Sequence, residues 1–288
     1  MAGFPAPVPG DLTAGERSFY SRPDLLSPPT PAYEESRMFP SESPEAPAAA
    51  PARLSPLQRA VAIFARPAAA WDGLEERAQW WIPLLVVLVL TLVGSALIYH
   101  RAQLPTILEA MEERVANGDM PAEQLERIES FYSSPAGIAI MLGTTAVSLG
   151  ALPFLIALLI WFAVGFVLGS PFRYRHALEV STWSSLVTLP PVLLWDVLAW
   201  IRQSMRGVHV GFGVLLPEAG PGDKLLRALG VFLDWIGPFG IWHVAVAVLG
   251  AAILSGAPRK SVAWALGILY LVSGLLAAAL AAVIPGSA

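Results

Sequence analysis

Cysteine is absent from the 288-residue chain, which excludes disulfides, thiolate metal sites, iron–sulfur clusters and cysteine nucleophiles together. Lysine is nearly absent: Lys224 and Lys260 are the two that occur. Charge as a whole is scarce. Asp, Glu, Lys and Arg make up 14% of residues and hydrophobic types 55%, where an ordinary soluble domain carries about 25% charged residues. The expected solvent is lipid. A net charge of -4, with no basic stripe interleaved with aromatics, excludes a nucleic-acid partner on electrostatic grounds. Catalytic signatures are missing as well, with no H-E-x-x-H, P-loop or G-x-S-x-G. The four histidines, His100, His176, His209 and His243, do not stand at metal-ligand spacing. The expectation is a protein that is not an enzyme and holds no cofactor or metal. The preference for arginine over lysine, with abundant alanine, points to a GC-rich bacterial genome.

What is present falls into two parts. From Met1 to about Arg53, eleven prolines from Pro5 to Pro51 recur among Ser, Glu and Ala. Such a segment buries too little apolar area to offset its ordering entropy, so 1–53 is expected to be a disordered tail. It lacks the basic start and apolar core of a signal peptide, and nothing in it is expected to be cleaved. Its Ser-Pro and Thr-Pro pairs and its proline spacing suit either a polyproline II ligand for a cytoplasmic protein or a plain tether.

Leu54 to Phe64 then reads as a helix, with Ser55 as N-cap and Pro56 at the first helical position. Leu57, Val61 and Phe64 share a face, with Arg59 and Arg66 beside it, and Pro67 ends the helix before Trp71, Leu74, Trp80 and Trp81. Two readings stay open: a helix lying in the membrane interface, or one packed on its own bundle.

Five spans follow if about 20 apolar residues cross a bilayer. They are expected at about 81–99, 138–168, 177–200, 229–254 and 262–284, an all-α five-helix transmembrane bundle over 54–285. The second is roughly 31 residues, or about 46 Å of helix, too long for one perpendicular crossing, and Pro153 is expected to kink it. Basic residues before the first span (Arg53, Arg59, Arg66, Arg77), between the second and third (Arg173, Arg175) and between the fourth and fifth (Arg259, Lys260) fall on one side. That side should be the cytoplasm of a bacterial inner membrane, with the N-terminus inside and the C-terminus outside. The first outer segment, 100–137, carries helical repeats on either side of Asn117-Gly118 and Pro121, the pattern of an acidic helical hairpin.

Ionisable groups within the spans are where function is expected. Asp196 near the end of the third span and Asp234 near the start of the fourth lie at similar depth, so they are candidates to meet, with Arg202, Arg206 and Arg227 as partners; an interfacial ion pair or a helix cap is the plainer alternative. His243 lies deeper, beside Trp242. Gly165 and Gly169 form a G-x-x-x-G pair on which another helix could pack, within the chain or from a second copy. Pro190-Pro191 and Gly237-Pro238 interrupt the third and fourth spans, as in transporters and also in inert bundles.

Leu233-Asp234-Trp235-Ile236-Gly237-Pro238-Phe239-Gly240-Ile241-Trp242, the apolar run through Gly250 and Arg259-Lys260 resemble the fourth-span region of the Ypt-interacting-protein (Yip) domain family. Phe172 to Glu179, Trp183-Ser184-Ser185-Leu186 and Pro190-Pro191 look like its cytoplasmic loop and third span, and Ile63-Phe64-Ala65-Arg66-Pro67 with Trp71 is similar to its lead-in. The resemblance implies a five-span bundle with a cytoplasmic N-terminus. The Asp-Leu-Tyr-Gly-Pro motif of eukaryotic members is missing, so their association with Rab-type GTPases does not carry over. The functional expectation is a non-enzymatic membrane protein that organises bilayer or recruits partners; the alternative is a small transporter or channel using Asp196, Asp234 and the interrupted spans.

Overall fold

The computed structural model describes residues 54–220 and 223–283. The proline-rich tail expected at 1–53 lies outside the described residues. Among those described, ordered structure is helical throughout, and five helical stretches are long and apolar enough to cross a membrane: Trp81–Ala116, Pro135–Val167, Tyr174–Arg202, Pro238–Ser255 and Arg259–Val283. Their outward faces carry Leu, Val, Ile and Phe, among them Val89, Val147, Phe166, Val197 and Leu276, as lipid contact requires. The protein is a multi-pass membrane protein.

The first helix, α1 (Pro56–Ala65), starts as a capping box: the Ser55 hydroxyl accepts from the Gln58 amide at 3.3 Å, and the Gln58 side chain accepts from the Ser55 amide at 2.9 Å. A short 3-10 turn, Ala69–Trp71, leads to α2 (Trp81–Ile98), which passes through a π-helical turn (Tyr99–Gln103) into α3 (Leu104–Ala116). Gly118 at φ 76° reverses the chain into α4 (Ala122–Tyr132), which completes the expected acidic hairpin. The hairpin is tied to the bundle where the Tyr99 hydroxyl donates to the Tyr132 carbonyl at 2.7 Å.

Helix α5 (Pro135–Trp161) starts at the Ser134 cap and runs across Pro153 without ending, then passes into a π-helical turn, Phe162–Val167. The third span is composite: α6 (Tyr174–Ser184), a 3-10 segment (Ser185–Thr188) and α7 (Leu189–Arg202). Pro190 and Pro191 bring no amide hydrogens, so α7 begins at the residues just before them. The stretch expected as one span at 229–254 is two helices, α8 (Lys224–Trp235) and α9 (Pro238–Ser255), parted at Ile236-Gly237. Pro238 opens a new helix there because it cannot donate within an existing one. Helix α10 (Arg259–Val283) closes the bundle.

Helix α2 packs on α5 and α7, α5 on α6, α6 on α9, and α9 on α10, while α8 lies along α10. The core gathers Ile63, Trp71, Val164, Trp183, Val187, Val246 and Val262 from seven different elements. Its members include α1 and the 69–71 turn, so the segment ahead of the first span is part of the bundle.

Candidate functional site

Glu179 is fully buried in α6. Its carboxylate accepts from the Gln79 amide at 2.6 Å and from the Trp183 indole, one turn later on its own helix, at 3.1 Å. Gln79 stands just ahead of α2, where amides lack intrahelical acceptors and the helix dipole favours an anion. A side chain of the third span therefore caps the first. Arg59 completes the arrangement. It is buried on α1, lies 5.6 Å from the centre of the Trp183 ring, and donates to the carbonyls of Ala70 and Asp72, the latter at 2.9 Å. Burial lowers the affinity of this guanidinium for its proton, and the Glu179 and Asp72 carboxylates act the other way. Arg175 donates to the Glu75 carbonyl, a second tie between α6 and the lead-in. On the far side, Trp71 fits over Gly250 of α9, where a Cβ would come within 2.5 Å of the ring.

These contacts give α1 two faces. Arg59, Ala62 and Ile63 turn into the bundle, while Leu57, Val61 and Phe64 are 76%, 60% and 44% exposed. The apolar stripe read from the sequence is thus the outward one, and the buried side includes the arginine. One face of the helix packs on its own bundle, and the other is apolar and uncovered.

Asp196 and Asp234 have separate surroundings. Asp196 of α7 reaches across to α2, where Oδ2 occupies the space that a side chain at Gly94 would need; that oxygen is buried without a hydrogen-bond partner. Asp234 ends α8 and is bound by the loop after α7: His209 Nδ1 at 2.6 Å on Oδ2, and the Gly211 and Gly213 amides at 2.9 and 3.1 Å on Oδ1. Gly211 and Gly213 fit because side chains there would overlap Asp234. Among the described residues no hydrogen bond joins the two carboxylates. Arg206 pairs with Glu113 at 2.5 Å and Glu109 at 3.8 Å, and Arg202 with Glu218 at 3.4 Å, so both bind acidic residues outside the proposed pair.

Between α2, α5, α6, α7, α8, α9 and α10 lies a cavity of about 770 Å³, within the roughly 300–1,000 Å³ range of ligand sites. Its walls are mainly Leu, Ile and Val, and Leu152, Leu155 and Leu159 of α5 line it while remaining about half exposed, so it opens sideways on α5. One end is roofed by Val208, Val210 and Gly211, the loop that Asp234 fastens. The side-chain donors within it share one property, that each is bound to a backbone carbonyl. The hydroxyls of Ser181, Ser185, Thr188 and Ser273 donate to the carbonyls of Pro153, Thr182, Ser185 and Tyr270 at 2.7–2.9 Å. The Trp195 and Trp235 indoles donate to Val208 and Tyr270, the Tyr270 hydroxyl to Trp235, and His243 Nδ1 to the Ser184 carbonyl at 3.0 Å. Since a carbonyl only accepts, Nδ1 carries the hydrogen, and Nε2 of the neutral ring is an acceptor.

A family model for the Yip1 domain matches residues 61–281, a stretch that begins inside α1 and ends in α10. The chain belongs to the Yip1 domain family. No curated protein and no solved structure matches it. Membership agrees with the resemblance of the Leu233–Trp242 stretch, which in this Yip1 domain is the junction of α8 and α9. The family is one of non-enzymatic membrane proteins.

Within the Yip1 domain, the glycine pair acts locally. A Cβ on Gly165 would stand 3.2 Å from the Phe172 carbonyl, in the connection that follows, and Gly169 adopts φ +65° where that turn ends. Both serve the exit from α5. Glu179 and Arg59, which tie α6 and α1 to the lead-in of the first span, were not selected by spacing as candidates, whereas Asp234 was. One signal was available for Glu179: it is a carboxylate in a span with Trp183 four residues on, and an intramembrane charge requires a partner.

Proposed function

We propose that this Yip1 domain protein organises the bilayer surface and presents its N-terminal tail to a cytoplasmic partner, without catalysing a reaction. The observation that carries this reading is the two-faced α1, locked to the bundle through Arg59 and Ile63 while Leu57, Val61 and Phe64 face outward. An apolar stripe on a helix joined to a membrane bundle suits the headgroup boundary, where buried apolar area drives binding. Arg66, Arg77, Arg173, Arg175, Arg259 and Lys260 flank that end of the spans, which supports a cytoplasmic location for α1 and an extracytoplasmic one for the end of α10. The preference for arginine over lysine, with abundant alanine, supports a bacterial source and hence the inner membrane.

The test is photo-crosslinking in cells from the full chain, with the crosslinker at Ser27 or Ser43 in the tail. A defined protein adduct that disappears when residues 1–53 are scrambled in order supports recruitment; identical adducts from native and scrambled tails contradict it.

A further inference from the structure

The cavity beneath the 207–215 loop is not used by the reading above, and its chemistry is one-sided. The side-chain donors named along its wall are each committed to a backbone carbonyl, four hydroxyls at 2.7–2.9 Å and His243 at 3.0 Å among them. What they offer an occupant is therefore lone pairs: hydroxyl oxygens, and His243 Nε2 about a third of the way along α9. In an apolar enclosure a group that cannot pair with what it meets loses its hydration without return. A carboxylate or a fully ionised phosphate brings only acceptors and would face acceptors, and a phosphate monoanion, which keeps one donor, still loses the hydration of its charge. The first amides of α9 are the nearby exception, and they follow the Asp234 carboxylate by a few residues, whose charge disfavours a second anion there. A hydroxyl suits all of these groups, because it donates to the side chains and accepts from an amide.

Access and size narrow the class further. The opening lies along α5 at Leu152, Leu155 and Leu159, half-exposed residues of a membrane-spanning helix, so an occupant enters from the bilayer. About 770 Å³ lined mainly by aliphatic side chains holds a hydrocarbon chain with a small head while the rest of the lipid stays outside. We infer that the cavity is a binding site for a neutral lipid bearing a hydroxyl donor, of the diacylglycerol type, and that it discriminates against anionic phospholipids with the same chains.

The experiment uses the full-length protein in liposomes containing equal small fractions of either diacylglycerol or phosphatidic acid, both with the same photoactivatable acyl chain. Adducts are mapped by mass spectrometry at Ala247 and Leu266, which line the cavity and are buried from the outer surface. Diacylglycerol should label these positions about fivefold more than phosphatidic acid, the discrimination expected from one net hydrogen bond. His243→Leu should lower that preference, since it removes one of the acceptors that a hydroxyl meets, and an unchanged preference overturns the part assigned to His243. Leu155→Trp, a change at an exposed position that narrows the opening, should reduce interior labelling by both lipids while a thermal melt shows the protein folded. Equal labelling by the two lipids, or an excess of phosphatidic acid, overturns the inference, because the cavity then accepts any acyl chain. Interior labelling unchanged by Leu155→Trp overturns the route of entry, and with it the site.

Discussion

The carboxylate of Glu179 accepts a hydrogen bond at 2.6 Å from the amide of Gln79, one hundred residues earlier in the chain. That single contact closes α6 against the start of α2, and the Trp183 indole and the Arg59 side chain extend it to α1. Glu179→Ala leaves the Gln79 amide and the Trp183 indole as buried donors without an acceptor, a loss of about 1–3 kcal/mol each. Glu179→Gln keeps an acceptor oxygen and should cost less. The thermal midpoint of the detergent-solubilised protein should fall in the order wild type, Gln, Ala; equal midpoints for all three would remove Glu179 from the account of stability.

Gly94 and Asp196 form a second coupled pair, in which the carboxylate fills the place of the missing side chain. Gly94→Ala should lower the thermal midpoint in the wild-type background and have little effect once Asp196 is Ala. The double-mutant cycle should give an interaction of about 0.5–3 kcal/mol. Independent, additive effects would show that the two residues do not share space.

Gly250→Ala places a methyl group within 2.5 Å of the Trp71 ring, and no such contact fits without displacement of the indole. The expected result is faster limited proteolysis between Arg66 and Gln79, with the spans still protected. Trp71→Ala should abolish the additional effect of Gly250→Ala, which separates the steric cause from a general loss of packing.

Asp234 holds the 207–215 loop through three hydrogen bonds. Asp234→Ala should free the Gly211 and Gly213 amides, and hydrogen exchange there should rise by at least tenfold, the effect of about 1.4 kcal/mol of lost local stability. Exchange at Gly94 on the opposite helix should not follow. A parallel rise at both places would mean that Asp234 supports the whole bundle rather than this loop.

Local signals carried much of the fold. Ser55, Pro56 and Gln58 mark the start of α1 because capping acts within four residues, and Gly118 with Pro121 marks the turn between α3 and α4 for the same reason. The apolar stripe of Leu57, Val61 and Phe64 was also legible, but its direction was not: which side of a helix meets protein depends on Trp183 and Ala70, far away or around a turn. The interruption at Gly237-Pro238 was legible because proline cannot donate within a helix, but its outcome as two separate helices was not, since Phe232, Leu233, Ile236 and Phe239 keep the hydropathy of a single span across it. Depth alone brought Asp196 and Asp234 together as candidates, whereas their partners, Gly94 and the His209 loop, are set by tertiary contacts that no spacing reports. The cavity has no linear signature, since its walls come from seven helices.

The central claim is that α1 is fastened to the bundle on one face and to lipid on the other. The absence of cysteine from the chain makes single-site labelling direct. Val61→Cys and Asp119→Cys, the latter in the exposed turn after α3, would each carry an environment-sensitive fluorophore in the full-length protein reconstituted in liposomes. The account predicts blue-shifted emission at position 61 that is quenched by nitroxides on lipid chains, and water-like, unquenched emission at position 119. Water-like emission at position 61, no more quenched than at position 119, would contradict it.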